Sequence, residues 1–154
     1  REWIRYRSAE HNFIVDLPDT PQVCAESGHA TVITEYVCDN DEAIVRVGVT
    51  EHRRGFIDAV GAPALLEQYR VVLSDVWQGY TINFDDGGEF LGYPAVRTTM
   101  LSDDGTAAVY CLVVITDRYE YELVAESFDE LDGDGTGQER FHRLFESFQF
   151  VEGP

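Results

Sequence analysis

Asp132, Asp134 and Thr136 alternate with glycine in Asp132-Gly133-Asp134-Gly135-Thr136-Gly137. Side-chain oxygens at the first, third and fifth positions with glycine at the sixth begin the loop that wraps calcium in an EF-hand. The rest departs from that pattern. The eighth position holds Glu139 instead of an aliphatic residue, and the twelfth holds Arg143 where a bidentate glutamate is required. The segment reads as an acidic turn in which Thr136 caps a following helix. Asp132, Asp134 and Thr136 remain a weak calcium set, and no metal or other cofactor is expected.

The four histidines, His11, His29, His52 and His142, are scattered without the short spacings of a metal site. No G-x-S-x-G segment marks a nucleophile. Carboxylates are too numerous for any acid–base pair to stand out. A Ser–His–Asp arrangement assembled from distant positions would leave no local trace, so a hydrolase is a residual alternative to a non-enzymatic reading. Arg53-Arg54 is the only adjacent basic pair. With Phe56 it makes the first candidate for a partner-binding loop, against the ordinary alternative that the arginines pair with nearby carboxylates.

That pair matters because of its background. The 154 residues carry 29 acidic and 11 basic side chains, a formal charge of -18, and all of the basic ones are arginine. Such a balance argues against general nucleic-acid binding, which needs a positive surface to displace counterions, and against electrostatic docking on anionic lipid. Two origins for the missing lysine stay open. One is adaptation to concentrated salt, where carboxylate repulsion is screened; the other is a GC-rich genome. With 44% hydrophobic and 12% aromatic residues the chain has enough material for one folded domain spanning residues 1–154. No apolar run is long enough to span a membrane. The opening Arg1-Glu2-Trp3 gives the expectation of a domain excised from a longer, membrane-tethered and extracytoplasmic protein, with a cytoplasmic home as the alternative.

Cys111 lies in the apolar run Val109 to Ile115 and reads as a core residue. Cys24 and Cys38 fall at strand margins, where a disulfide is open if the chain is exported.

The periodicity places strands over Trp3–Ser8 and Phe13–Leu17, a hairpin of Ala30–Val37 and Ala43–Thr50, and strands over Tyr80–Phe84, Tyr93–Leu101, Thr106–Thr116 and Tyr119–Ala125. Asp85-Asp86-Gly87-Gly88 and Ser102-Asp103-Asp104-Gly105 have turn composition. Leu65, Leu66, Tyr69, Val72, Leu73 and Val76 form one apolar stripe of a helix over Pro63–Trp77. Phe141, Leu144, Phe145 and Phe148 do the same over Gln138–Phe148. Trp77, Tyr80 and Phe90, near element ends, read as core rim or as the lining of a cleft. Short antiparallel connections with two separated helices predict an α+β fold, an antiparallel meander flanked by helices.

In this order the chain resembles the PsbP-like family. Trp3-Ile4-Arg5-Tyr6-Arg7-Ser8 followed by Phe13-Ile14-Val15-Asp16-Leu17-Pro18-Asp19-Thr20-Pro21 is similar to the family's opening strand and "F-x-V-x-x-P-x-x-P" segment. Gly92-Tyr93-Pro94-Ala95-Val96-Arg97 is similar to its hairpin, and Phe145-Glu146-Ser147-Phe148 to its closing "F-x-S-F". The resemblance implies an α/β/α sandwich and no catalytic residues, since members act mainly as binding or accessory subunits, many of them bacterial lipoproteins. The Arg53–Phe56 loop and the acidic loop from Asp129 match no family pattern. The expectation is therefore a non-enzymatic module that docks on an unidentified protein partner, with a carrier of a small apolar ligand, held between sheet and helix, as the alternative.

Overall fold

The computed structural model describes residues 2–39, 43–128 and 136–151. Two antiparallel sheets dominate it. Strands β1 (Ile4–Ser8) and β2 (Phe13–Leu17) form a hairpin in which Ile4 pairs with Leu17 and Ser8 with Phe13. A two-residue strand at the far end of the chain, β10 (Gln149–Phe150), joins the other side of β2.

The larger sheet has seven strands. In chain order they are β3 (Gln22–Ser27), β4 (Thr31–Asp39), β5 (Ala43–His52), β6 (Tyr80–Phe90), β7 (Tyr93–Ser102), β8 (Ala108–Ile115) and β9 (Tyr119–Ser127). In space they run β3-β4-β5-β9-β8-β7-β6. The last four are a meander folded back on itself, so β9 closes against β5 and the sheet's centre is β5, β9 and β8. Those three strands hold the most continuous buried runs, as strands covered on both faces should.

Side chains alternate across this sheet, so each face has its own core. One face carries Tyr36, Val45, Val47, Leu112, Val114, Tyr121 and Leu123, packed under helix α3 (Thr136–Ser147) and the β1-β2-β10 sheet. Phe13 is its hub: it is fully buried, stacked on Phe148 at 5.5 Å and edge-on to Tyr36 at 5.1 Å. A polar thread runs through this core. The His11 ring Nδ1 lies 2.6 Å from the Tyr36 hydroxyl, which also meets Ser8 Oγ at 2.8 Å, and the Tyr121 hydroxyl donates to the His11 carbonyl at 2.6 Å. Burial lowers the His11 pKa, keeping a neutral ring that needs only these partners.

The opposite face presents Val96, Met100, Val109, Cys111, Val113, Ile115 and Val124 to helices α1 (Phe56–Val60) and α2 (Ala62–Val76). Proline in the first turn starts α2. Gly79, with φ 82°, turns the chain into β6 after it.

Several expectations need correction. The chain is mixed, with helices on both faces of an antiparallel sheet, but it is mostly strand, more so than the α+β expectation conveyed. Asp85 to Gly88 is not a turn. Strand β6 continues through it with a shift of register against β7, and the reversal comes at Leu91-Gly92, where φ is 52° and 86° at the two loop residues. The α2 stripe is wider than its contact: Leu65, Leu66 and Leu73 are buried, while Val72 and Val76 are 48% and 68% exposed. Three elements, β3, α1 and β10, have no counterpart in the periodicity. Strand β3 is exposed at every position, and the other two are shorter than the windows in which a period can show.

The cysteines are free. Cys24 pairs with Glu35, which puts its side chain on the α2 face, whereas Cys38, paired with Val45, points to the α3 face and donates its thiol to the Asp19 carbonyl. A disulfide between opposite faces of one sheet has no route.

Candidate functional site

Helices α1 and α2 lie over β7 and β8, and the α2 face of β3, β4 and β5 is left open. Where the covered and open halves meet, the sheet changes from apolar to charged. Glu35, Gly48 and Glu122 form one cross-strand row and Val37, Arg46 and Val124 the next. A Cβ on Gly48 would meet Arg46 Nη1 and Glu122 Cβ at 3.8 Å, an ordinary van der Waals contact. Arg46 Nη1 donates to Glu122 Oε1 at 2.8 Å and to Glu35 Oε1 at 3.3 Å. The Tyr69 hydroxyl, on α2, donates to the other Glu122 oxygen at 2.6 Å.

Burial works against the Arg46 charge, but Glu122 and Glu35 outweigh it and hold the guanidinium more firmly protonated than usual. Burial likewise pushes the Tyr69 hydroxyl and the Cys111 thiol far up, so neither ionises as a nucleophile near neutral pH.

Glu126, on the same face of β9, lies at the margin of this network. Desolvation raises its pKa, opposed by Arg46 and reinforced by Glu122 and Asp39. A carboxyl that holds its proton more tightly when folded makes stability fall as pH rises from its unfolded value, near 4.5, through the raised folded value. Glu126→Gln removes that loss. The variant is expected to melt above the wild type at pH 7 and to match it at pH 4, and thermal melts at the two values check this.

Toward the end of the sheet where β5 runs into α1, two clefts meet. The first, about 350 Å³, lies between α2 and the sheet and is walled by Ala30, Phe56, Leu65 and Val72, with Tyr69 and Glu120 at its polar side. His52 Nε2 sits 2.9 Å from Glu120 Oε1, and the His52 ring stacks on Phe56 at 4.7 Å. The second, about 440 Å³, is fronted by Arg53 and Arg54 and, from the β8–β9 turn, Asp117 and Arg118. His52 lines both clefts, and Arg53 continues with Ala30, Thr31 and His52 into a smaller hollow of about 290 Å³.

The Arg53–Phe56 loop expected from sequence is thus at this junction, with a division of labour. Arg53 and Arg54 are exposed, while Phe56 is half-buried and opens α1. Arg118 is a third cation that sequence distance conceals, its guanidinium 5.0 Å from the Tyr119 ring. Among the described residues, none of these three arginines has a carboxylate within ion-pair distance, and neither do Arg7 and Arg97, whereas Arg5, Arg46, Arg70 and Arg143 do. The ordinary alternative for Arg53-Arg54, pairing with neighbouring carboxylates, is not seen among the described residues.

Other candidates separate from the site. Asp132 and Asp134 lie outside the described residues, and Thr136 begins α3. Among the described residues no group of three or more His, Cys, Asp or Glu side chains is placed to hold a metal ion. Arg143 lies over Trp3 at 5.0 Å. Phe90 is buried against Phe145, and Trp77 meets Tyr80 edge-on at 5.1 Å, which makes them core and rim. His29 and His142 are exposed. A cleft of about 580 Å³ lies beside Trp3, Asp19 and Cys38, with Val37, Val45 and Arg140 also in its lining. Its described lining holds one cation, Arg140, against three arginines at the His52 end. Among the described residues no helix is long and apolar enough to cross a membrane.

No protein-family model matches the chain, and no curated protein matches it.

Proposed function

We propose that the protein is a non-enzymatic binding module of the PsbP-like kind, an accessory subunit that recognises a protein partner through the His52 end of its sheet. The observation that carries this reading is the gathering of Arg53, Arg54 and Arg118 around one cleft, without carboxylate partners among the described residues, in a chain of net charge -18. Exposed guanidinium groups gathered around one cleft are available to an outside anion. The family part rests on the order of elements, a strand pair, a hairpin, a helix, a meander and a closing helix, together with the sequence segments already quoted. An envelope-tethered setting accompanies that resemblance.

Capture from native lysate tests it. A partner held by the wild type and lost by Arg54→Glu is expected. A partner that survives Arg54→Glu and is lost instead with Val23→Asp, on the exposed edge strand β3, contradicts it.

A second reading, a carrier of a small apolar ligand, is supported by the 350 Å³ cleft between α2 and the sheet, a volume at the lower end of small-molecule sites. The hydrolase reading is supported less. A His–carboxylate pair is present at His52–Glu120, but Nε2 is engaged by Glu120, the ring face by Phe56, and the Tyr69 hydroxyl by Glu122. General base catalysis needs a ring nitrogen within reach of a nucleophile.

A further inference from the structure

The apolar cleft and the arginine cleft are neighbours, and their union has a chemistry that neither has alone. Ala30, Phe56, Leu65 and Val72 offer a wall suited to a hydrocarbon chain. Arg53, Arg54 and Arg118 offer a cationic mouth. His52 is common to the two linings. Val72 is 48% exposed although it belongs to the apolar stripe of α2, so the wall is short of a covering group. The three arginines outnumber the two carboxylates, Glu51 and Asp117, in the lining of the same cleft.

From this juxtaposition we propose that the site takes an amphiphile with one anionic head, a carboxylate or phosphate monoester, whose head pairs with the arginines and whose chain lies along α2. The proposal rests on the carrier reading and adds the head group to it. The overall negative charge is no obstacle to such a ligand. The pairing is short-range and its guanidinium–oxyanion hydrogen bonds are charge-assisted, whereas the repulsive field of the remaining surface is screened within about 8–10 Å at physiological salt. The same field disfavours a polyanion or an anionic membrane, which would have to meet the whole surface. Burial of each methylene adds to the pairing of the head, so head and chain reinforce one another.

Titration calorimetry with decyl phosphate, decanoate, decanol and inorganic phosphate, on the wild type, on Arg53→Gln/Arg54→Gln/Arg118→Gln and on Val72→Asp, separates the contributions. Decyl phosphate and decanoate are expected to bind with one-to-one stoichiometry, and decanol and inorganic phosphate at least about tenfold more weakly. The triple variant should lose about tenfold or more for the two anionic amphiphiles and nothing for decanol. Val72→Asp should weaken all three chain-bearing compounds. Unchanged melting points show that the exposed substitutions leave the fold intact. Decanol binding as tightly as decyl phosphate, with no effect of the triple variant, overturns the head assignment and leaves the carrier reading standing. Inorganic phosphate binding as tightly as decyl phosphate overturns the chain assignment. No binding by any of the four overturns the proposal and the carrier reading together.

Discussion

Replacing Arg46 with methionine is expected to destabilise the protein by about 2–3 kcal/mol, the range for hydrogen bonds to charged groups that are mostly removed from water. Arg46 and Glu122 side chains are only 21% and 24% exposed, and they meet on the sheet's central strands. Methionine supplies the volume of the aliphatic stem but no donor. Glu122 is then left with the Tyr69 hydroxyl as its remaining partner and with Glu126 as a like charge on the same strand face. For a chain of this size the loss corresponds to a melting temperature lower by roughly 5–10 °C. Combining Arg46→Met with Glu122→Gln should recover part of it, because the charge that needed compensation is gone. Urea unfolding of the four proteins in the cycle measures the coupling. A single variant within about 0.5 kcal/mol of the wild type would show that solvent already screens the pair.

Phe13→Ala should be costlier still, about 3–5 kcal/mol. Phe13 is fully buried where three elements meet: β2 contributes the ring, Phe148 follows α3, and Tyr36 and Tyr121 rise from the large sheet. The cavity cannot collapse by moving one neighbour, since each is fixed by a different element. Phe13→Leu keeps most of the volume and should cost under about 1.5 kcal/mol. Chemical denaturation of both variants checks the contrast. An alanine variant no worse than the leucine one would mean that the β1-β2-β10 sheet is held by other contacts. This core lies on the α3 face, away from the His52 end, so Phe13→Leu should leave ligand binding unchanged.

The sequence reading succeeded where one face of an element carries a strict period. Strand β2 alternates Phe13, Val15 and Leu17 inward, and α3 brings Phe141, Leu144 and Phe148 to one side; both were legible for that reason. Strand β3 was not. As an edge strand it buries nothing, so its residues carry no alternation to read. The bulge at Asp85–Gly88 was mistaken for a reversal because bulges and turns draw on the same residue types.

The site was legible only in part. Arg53-Arg54 stood out as an adjacent pair in an acidic chain. Arg118 and Glu120 became part of the same place through the β5–β9 pairing, in which Thr50 faces Glu120 and Glu51 faces Tyr119. A cross-strand register of that kind leaves no trace in spacing along the chain. Arg46 likewise carries no signal in the spacing along the chain. Its role follows from the cross-strand register, which brings it within ion-pair distance of both Glu35 and Glu122.

The central claim is that recognition takes place at the His52 end of the sheet. Amide chemical-shift mapping during titration with decyl phosphate tests it most directly. The account predicts saturable shifts confined to residues 51–57, 117–120 and the 65–72 face of α2, and their loss in the Arg53→Gln/Arg54→Gln/Arg118→Gln variant. Shifts centred instead on the edge strand β3, or on the cleft beside Trp3 and Cys38, would contradict it.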